Sequence, residues 1–544
     1  MNNLAAIRRV LRNPAVAASE AAYALFAVVV HGTWLAGLVF AFNQGGVAEA
    51  GVVAALVLLP GAVAAPLLSV LADRTTASRA LTSGFIAEAA AYGGAGLLMF
   101  ADGSPVTIYV LWAIGSAIQT MITPTLLAAL PSLVRSPTDF AAANAVLGLV
   151  ERLGILVGPI VAGFILFRAS PGMVFLIAAA LLVVAALLAL LVTPADGEVV
   201  RGDPGPASPF ADVTSGLRLL RDQPQTRLLV ILLASVLIIF GALDVAFITI
   251  AVEQLGQDEG AVGILAAAIG VGGIIGAALT FSLIGRRRLT TPIALGLLAV
   301  AVPIMLVGTL DSFLLVVLVL AVTGLGRPIL EVAGRTLIQG LSSEDTMAGI
   351  FGLLEGLTVL ALAAGALGYS IADATFGTGW ALFGVGAILP LFLLIRFRSL
   401  REIDRSRPEV DLELLDLMRN IPIFAPLPAF QVEQLLVTMQ PMDLPADNVV
   451  FHEGDEGELL YVVTDGNVVV ELPDREVHTG RGGFFGEIAL IRDEPRMATV
   501  RAGATGVRTY TLERNAFLTA ISGVARSRAR AHHEVGRRLG EPGT

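Results

Sequence analysis

The chain is 544 residues long, 56% hydrophobic and only 15% charged, with a formal net charge of −10. Soluble globular proteins hold roughly 45–50% apolar and about 25% charged residues, which excludes a purely soluble protein here. No basic surface suits nucleic acid, and the lack of cysteine removes disulfides, thiolate metal sites and a cysteine nucleophile.

The charge is uneven along the chain. Residues 1–400 hold 22 acids and 19 arginines, residues 401–544 hold 23 acids and 16 arginines, and about −7 of the −10 therefore sits in the last quarter. Two domains of different solvent class follow, a membrane part over 1–400 and a water-facing part over 401–544. Five histidines, of which only His532 and His533 are adjacent, form no zinc constellation. No metal site and no enzymatic residue set is expected.

From the N-terminus, "IRRVLRNP" (7–14) is basic and leads into a long apolar run. That length, and the eleven runs behind it, mark a retained helix and not a cleaved signal. A helix needs about 20 apolar residues to cross the roughly 30 Å hydrocarbon core. Twelve runs qualify, at about 20–42, 48–72, 80–100, 105–130, 140–167, 172–193, 227–252, 260–284, 290–309, 312–338, 346–371 and 377–396. Arginines gather in alternate connections: Arg8, Arg9 and Arg12, then Arg74 and Arg79, then Arg135. Arg201, Arg218 and Arg221 follow, then Arg286, Arg287 and Arg288, and finally Arg396, Arg398 and Arg401, against Arg168 alone on the other side. Positive loops stay in the cytoplasm, which places both termini there.

"TPADGEVVRGDPGPASPF" (193–210) has linker composition and divides the runs into halves of six, about 1–193 and 227–400, with a cytosolic loop over about 194–226. "GLVERLG" (148–154) aligns with "GLLEGLT" (352–358), which sets Glu151 against Glu355 at an offset of 204 and supports an internal repeat. Ionisable residues inside spans are expensive and are functional candidates by default. They are His31 in the first run, Glu151 and Arg152 in the fifth, Asp244 in the seventh and Glu355 in the eleventh; Glu88 in the third is read as structural. Asp244 and Glu355 are the first choices to carry a proton or a cationic group, because a carboxyl in low dielectric can be tuned for proton exchange. Glu151 and Glu355 suit an ion-pair lock equally well. Glu151 and Arg152 point different ways on a helix and are not each other's partner. Low aromatic content, 6%, and no evident pair of basic residues lean the substrate towards a small amphipathic or cationic compound.

Over residues 1–400 the chain resembles a transporter of the major facilitator superfamily. "SVLADRTTASR" (69–79) is similar to that family's first cytoplasmic loop motif, with Asp73, Arg74 and Arg79 as its charged positions, although Ser69 replaces the leading glycine. "GILVGPIVAG" (154–163) is similar to the Gly-Pro motif of its antiporters through Gly154, Gly158, Pro159 and Gly163, with Ala162 in place of a glycine. The resemblance implies a twelve-helix bundle of two pseudo-repeats around a central cavity, and its antiporter association tips direction towards export.

From residue 411 the pattern turns soluble. "VDLELLDLMRNIPIFAPL" (410–427) suits an amphipathic helix before a Pro-broken turn, and "NVVFHEGDEGELLYVVTDGNVVVEL" (448–472) suits short strands of a small antiparallel barrel. "GGFFGEIALI" (482–491) turns sharply into a short helix near Gly486, where free backbone N–H groups suit a phosphate. Arg496 can clamp that phosphate and Glu487 can accept from a sugar hydroxyl, a combination that describes a cyclic nucleotide. The region resembles the cyclic nucleotide-binding domain of kinase regulatory subunits and the catabolite activator protein, and "FGEIALIRDEPRMATV" (485–500) is similar to its phosphate-binding cassette. The resemblance implies that Gly486 and Glu487 hold the ribose 2′-hydroxyl, while the backbone of Ile488 and Ala489, with Arg496 and Ala498, takes the phosphate. Family members that bind cyclic GMP use a threonine where Met497 stands, which implies cyclic AMP as the regulatory ligand here. "NAFLTAISGVARSRARAHHEVGRRLG" (515–540) is expected to supply the closing helices, with Arg530, His532 and His533 as unassigned purine contacts.

The expectation is a multi-domain membrane protein, an all-α twelve-helix bundle followed by a cytosolic antiparallel β-barrel domain with flanking helices. Its expected partners are the lipid bilayer, a small-molecule substrate and cyclic AMP, with a homodimer left open. The expected function is a cyclic AMP-regulated, proton-coupled exporter; the alternatives are a transport-inactive cyclic nucleotide receptor and a transporter of the nucleotide itself.

Overall fold

In hydrocarbon every backbone N–H and C=O must find its partner within the protein, and a long apolar run does so most directly as a helix. The computed structural model describes residues 3–73, 75–134, 136–192, 220–221, 223–283, 288–341, 344–406, 412–427, 429–472, 475–522, 527, 530–531 and 533–535. The linker expected at 193–210 lies outside these residues, as do Arg74, Arg135, Arg201, Arg218, Arg286, Arg287 and His532. The chain divides into two units, Met1–Asp404 and Arg405–Thr544.

The first unit is helical. A short helix, α1 (Asn3–Leu11), precedes α2 (Pro14–Asp73), α3 (Ala77–Phe100), α4 (Pro105–Gln119), α5 (Ile122–Leu133), α6 (Pro137–Leu166) and α7 (Pro171–Ala189). Then come α8 (Pro224–Ile248), α9 (Gly260–Thr280), α10 (Thr290–Val307), α11 (Phe313–Leu341), α12 (Glu344–Phe376) and α13 (Thr378–Ser406). Proline opens α4, α6, α7 and α8, where its missing N–H costs nothing and its fixed φ is already helical.

Among the described residues ten helices are long and apolar enough to cross a membrane, against the twelve runs in the sequence. The difference has two sources. The first two runs share α2, which is broken only at Gly45 and Gly46, where the backbone leaves helical angles. Ala77–Phe100, diluted by alanine, glycine, Thr82, Ser83 and Glu88, is not among the ten.

Packing repeats between the halves. α2 lies on α6 as α8 lies on α12, and α3 packs on α7 and α4. Across the halves, α6 meets α9 and α2 meets α12. A continuous apolar core runs through this unit, with Trp112, Tyr92, Tyr369, Phe85 and Phe175 among its largest fully buried side chains.

In the second unit α14 (Leu412–Asn420) buries Leu414, Leu415 and Met418 and exposes Glu413, Asp416 and Arg419, as its amphipathic pattern requires. After α15 (Ala429–Thr438) come β1 (Gln440–Leu444), β2 (Val449–Phe451), β3 (Leu459–Glu471), β4 (Glu476–Gly480) and β5 (Phe484–Phe485). The short α16 (Glu487–Arg492), β6 (Thr499–Glu513) and α17 (Arg514–Ser522) follow. The strands form one antiparallel sheet in the order β1-β6-β3-β4, with β2 on β6 and β5 on β3. β1 and β4 end that path, and no pairing among the described residues joins them into a closed barrel. Phe424 and Phe517 meet edge to face at 6.1 Å in the core that carries the helices against the sheet.

Candidate functional site

In the helical unit, side chains from three helices converge. α2 brings His31 and Trp34, α8 brings Phe240 and Asp244, and α11 brings Arg327. The Arg327 guanidinium lies 4.6 Å from the centre of the Phe240 ring. It is also within electrostatic reach of both His31 and Asp244, and the Trp34 indole is within hydrogen-bonding reach of Asp244. Arg327, midway along the 29-residue α11, is exposed, with its guanidinium beside the Phe240 ring of α8.

Two of the sequence candidates, His31 and Asp244, therefore meet at one place. The others do not join them. Glu355 accepts from Arg335 at 3.2 Å, and Arg335 also reaches Glu331 at 3.6 Å. The Arg335 guanidinium stands 5.6 Å over Phe351. Glu151 and Arg152 are exposed on α6, and no ion pair is formed by either among the described residues. Glu88 is fully buried on α3 with Tyr92 one turn away.

Arg327 and Arg335 lie on α11, two basic residues that the sequence reading did not single out. Their signal was present as "GRPILEVAGR" (326–335), which places Arg327, Glu331 and Arg335 at successive four-residue steps on one helix face.

The Gly-Pro stretch of α6 is a packing seam. A Cβ on Gly158 would lie 2.8 Å from the Val28 carbonyl and 2.8 Å from the His31 Cβ, and one on Gly163 would lie 2.7 Å from the Gly260 carbonyl. The same helix can approach α2 and α9 this closely only with glycine at those positions. Asp73 ends α2, and Arg79 is exposed in the first turn of α3, where the Thr76 side chain accepts from its backbone N–H.

In the second unit, the segment after β5 forms a compact cradle. Gly486 adopts φ 88°, a left-handed conformation that glycine takes at no steric cost, and turns the chain into α16. Glu487 is 1% exposed and Arg496 5% exposed. The Arg496 Nη1 donates to the Gly486 carbonyl and Nη2 to the Leu459 carbonyl, both at 2.8 Å, and its Nε has no protein partner among the described residues. The guanidinium also lies 4.2 Å over Phe451 and 5.8 Å over Tyr461. Burial pulls its pKa below the ordinary arginine value, opposed by Tyr461, Glu487, Asp455 and Glu458.

Its backbone is pinned as well. Arg496 N–H donates to the Asp455 carbonyl, and Gly454 N–H donates to the Arg496 carbonyl, both at 2.8 Å. A Cβ at Gly457 would come within 2.7 Å of the Ala489 Cβ and 3.2 Å of the Arg496 guanidinium carbon, so a side chain there would fill the cradle. Ala489 and Ala498 are buried, Ile488 is half-buried and Met497 is 44% exposed. Phe451, Gly457 and Tyr461 were not assigned a role from sequence, because the pairing of β2 with β6 and of β3 with β5 and β6 is what brings them to Arg496. Arg530 and His533 are exposed.

Such an arrangement can hold an anion against a buried cation, with an acceptor-only carboxylate beside it when Glu487 is ionised.

Comparison with known proteins agrees with both halves of this description. The Major Facilitator Superfamily profile matches residues 21–366, and the Cyclic nucleotide-binding domain profile matches residues 441–523. Over 103 residues the chain is 37% identical to a cyclic nucleotide-gated potassium channel of Rhizobium etli, covering 18% of this chain and 29% of that protein. Over 105 residues it is 30% identical to the cAMP-dependent protein kinase type II regulatory subunit of Drosophila melanogaster, covering 19% and 28%. The chain thus spans under a third of the length of these curated relatives. The crystal structure of the nucleoside transporter NupG covers 72% of this chain and 98% of its own at 13% identity and a TM-score of 0.59, a likeness of fold.

Proposed function

The chain belongs to the major facilitator superfamily, and from that premise we propose that it is a cyclic AMP-regulated, proton-coupled exporter of a small amphipathic compound. It is a multi-pass membrane protein carrying a C-terminal cyclic nucleotide-binding domain, and neither family is enzymatic. The observation that carries the transport reading is the convergence of His31, Asp244 and Arg327 from α2, α8 and α11. Charges brought together inside a membrane bundle are costly to keep without a task.

In this reading residues 1–400 are the transport domain with twelve crossings, α2 supplying two across its Gly45–Gly46 break and α3 a further one. Both termini lie in the cytoplasm, and residues 401–544 form a barrel-type sensor there, with a homodimer left open. Asp244 and Glu355 exchange protons. Glu151, Arg152, Asp73, Arg74 and Arg79 act in the closing of the inner face, and Gly154, Gly158, Pro159 and Gly163 form the seam on which the helices move. Gly486 and Glu487 bind the ribose, and Ile488, Ala489, Arg496 and Ala498 bind the cyclic phosphate. Met497 offers nothing to the guanine amino group, which favours cyclic AMP.

The test is flux. Full-length protein in sealed vesicles should move a weakly basic or acidic dye-linked proton signal under an imposed pH gradient, and cyclic AMP on the cytoplasmic face should change the rate. A bundle that conducts no proton-linked flux in either nucleotide state would instead be an anchor for the sensor.

A further inference from the structure

Arg327 is the one member of the α11 charge stripe that forms no ion pair among the described residues. Below it, Arg335 is paired with Glu355 at 3.2 Å and reaches Glu331 at 3.6 Å. Arg327 carries five N–H donors in a planar fork, and among the described residues none is taken by a hydrogen bond or an ion pair. Its contact is the Phe240 ring at 4.6 Å, and His31 and Asp244 lie within electrostatic reach. A guanidinium midway along a membrane helix with its donors free is open to water or to a ligand.

The surroundings narrow that ligand. The guanidinium carbon stands 4.6 Å from the centre of the Phe240 ring, and Arg327 is exposed, so its donor edge is open. That edge matches two oxygens of a carboxylate or phosphate. One guanidinium matches a single anionic group and not a polyanion. Phe240 is itself buried, and the half-buried Trp34 offers ring surface to an apolar body. A cationic group would meet the charge of Arg327 in the same space.

Resting on the transport reading above, we propose that the transported compound carries one anionic oxygen group bound by Arg327, with its apolar body against Trp34. The substrate class is therefore amphipathic organic anions. An inside-negative membrane potential drives such an anion outward, in the direction proposed for transport.

The matched compounds benzoate, benzamide and benzylamine test this on the purified full-length protein by thermal shift at millimolar concentration. Benzoate should raise the melting temperature in a saturable way, benzamide less, and benzylamine not at all. The benzoate shift should vanish in Arg327→Ala and survive in part in Arg327→Lys. Where Arg327→Ala does not fold, Arg327→Gln keeps the stem over Phe240 and should lose the shift likewise. A benzoate shift unchanged in Arg327→Gln would overturn the site. A benzylamine shift equal to or above that of benzoate would overturn the anionic class while leaving the transporter standing, and its loss in Asp244→Asn would then assign the cation to that carboxyl. No shift with any of the three also overturns the anionic site, and the vesicle flux measurement then judges the transporter separately.

Discussion

Arg496 shows how one side chain can be both anchored and available. Its Nη atoms donate to the carbonyls of Gly486 and Leu459, and its guanidinium carbon stands 4.2 Å from the centre of the Phe451 ring. A cyclic phosphate can meet the remaining donors with no large rearrangement, so the guanidinium is positioned in advance. Hydrogen bonds to charged groups contribute about 1.5–3 kcal/mol, so Arg496→Ala should weaken cyclic AMP binding roughly 10- to 150-fold. Calorimetry on the full-length protein measures this, and cyclic GMP should bind more weakly than cyclic AMP because Met497 lacks a polar group. Equal or tighter cyclic GMP binding would remove the ligand choice. In the bundle, Asp244→Asn and Glu355→Gln should each leave the fold intact and abolish dependence of flux on the pH gradient. The two differ in detail: Glu355 is exposed and paired to Arg335, so Glu355→Gln should also loosen that pair, whereas Asp244 has no ion-pair partner among the described residues. A pH dependence retained in both variants would take these carboxyls out of the coupling step.

At the scale of elements, α6 is tight at one end and open at the other. Gly158 has no room for a methyl group, since the nearest atoms include the Val28 carbonyl at 2.8 Å, while Gly148 on the same helix has nothing within 4 Å. Gly158→Ala should therefore cost about 1–3 kcal/mol through overpacking, and Gly148→Ala should gain roughly 0.5–1 kcal/mol through backbone entropy. Opposite shifts of melting temperature check the pair; equal shifts would mean the seam at Gly158 yields freely. The helices themselves were legible because apolar length alone specifies a membrane helix, and the cassette was legible because Gly486, Glu487 and Arg496 lie within one short stretch. The α2 break was legible too, since Gly45 and Gly46 fall in the gap between the first two apolar runs. Arg327 was missed. Its place depends on α2 and α8 packing beside α11, and nothing local to "GRPILEVAGR" announces His31 or Asp244 as neighbours. Phe451, Gly457 and Tyr461 were hidden in the same way, by strand pairing across more than thirty residues of chain.

At the scale of the whole molecule the question is whether the sensor and the bundle share free energy. The boundary between the two units, Asp404–Arg405, falls in the last turn of α13, so the connection from the final bundle helix is short. Within the sensor, Asp493 at the end of α16 is bridged to Arg514 at the start of α17, and Arg514 N–H also donates to the Glu458 carbonyl. A rearrangement of the cassette on a cyclic phosphate thus reaches α17 through a side chain and a backbone bond. If that change biases the bundle, coupling of about 1–3 kcal/mol is typical, a change of roughly 5- to 150-fold in affinity. Linkage is reciprocal, so cyclic AMP and the transported compound must alter each other's affinity by the same factor. Cyclic AMP affinity of the full-length protein, measured with and without saturating transported compound, should shift by that factor, and Asp493→Ala should shrink the shift while sparing cyclic AMP binding itself. An affinity that ignores the transported compound, together with a transport rate that ignores cyclic AMP, would reduce the fusion to a tether that fixes location and stoichiometry. A ligand with equal affinity for both states of the bundle shifts neither, however tightly it binds, so the size of the affinity change decides between sensor and tether.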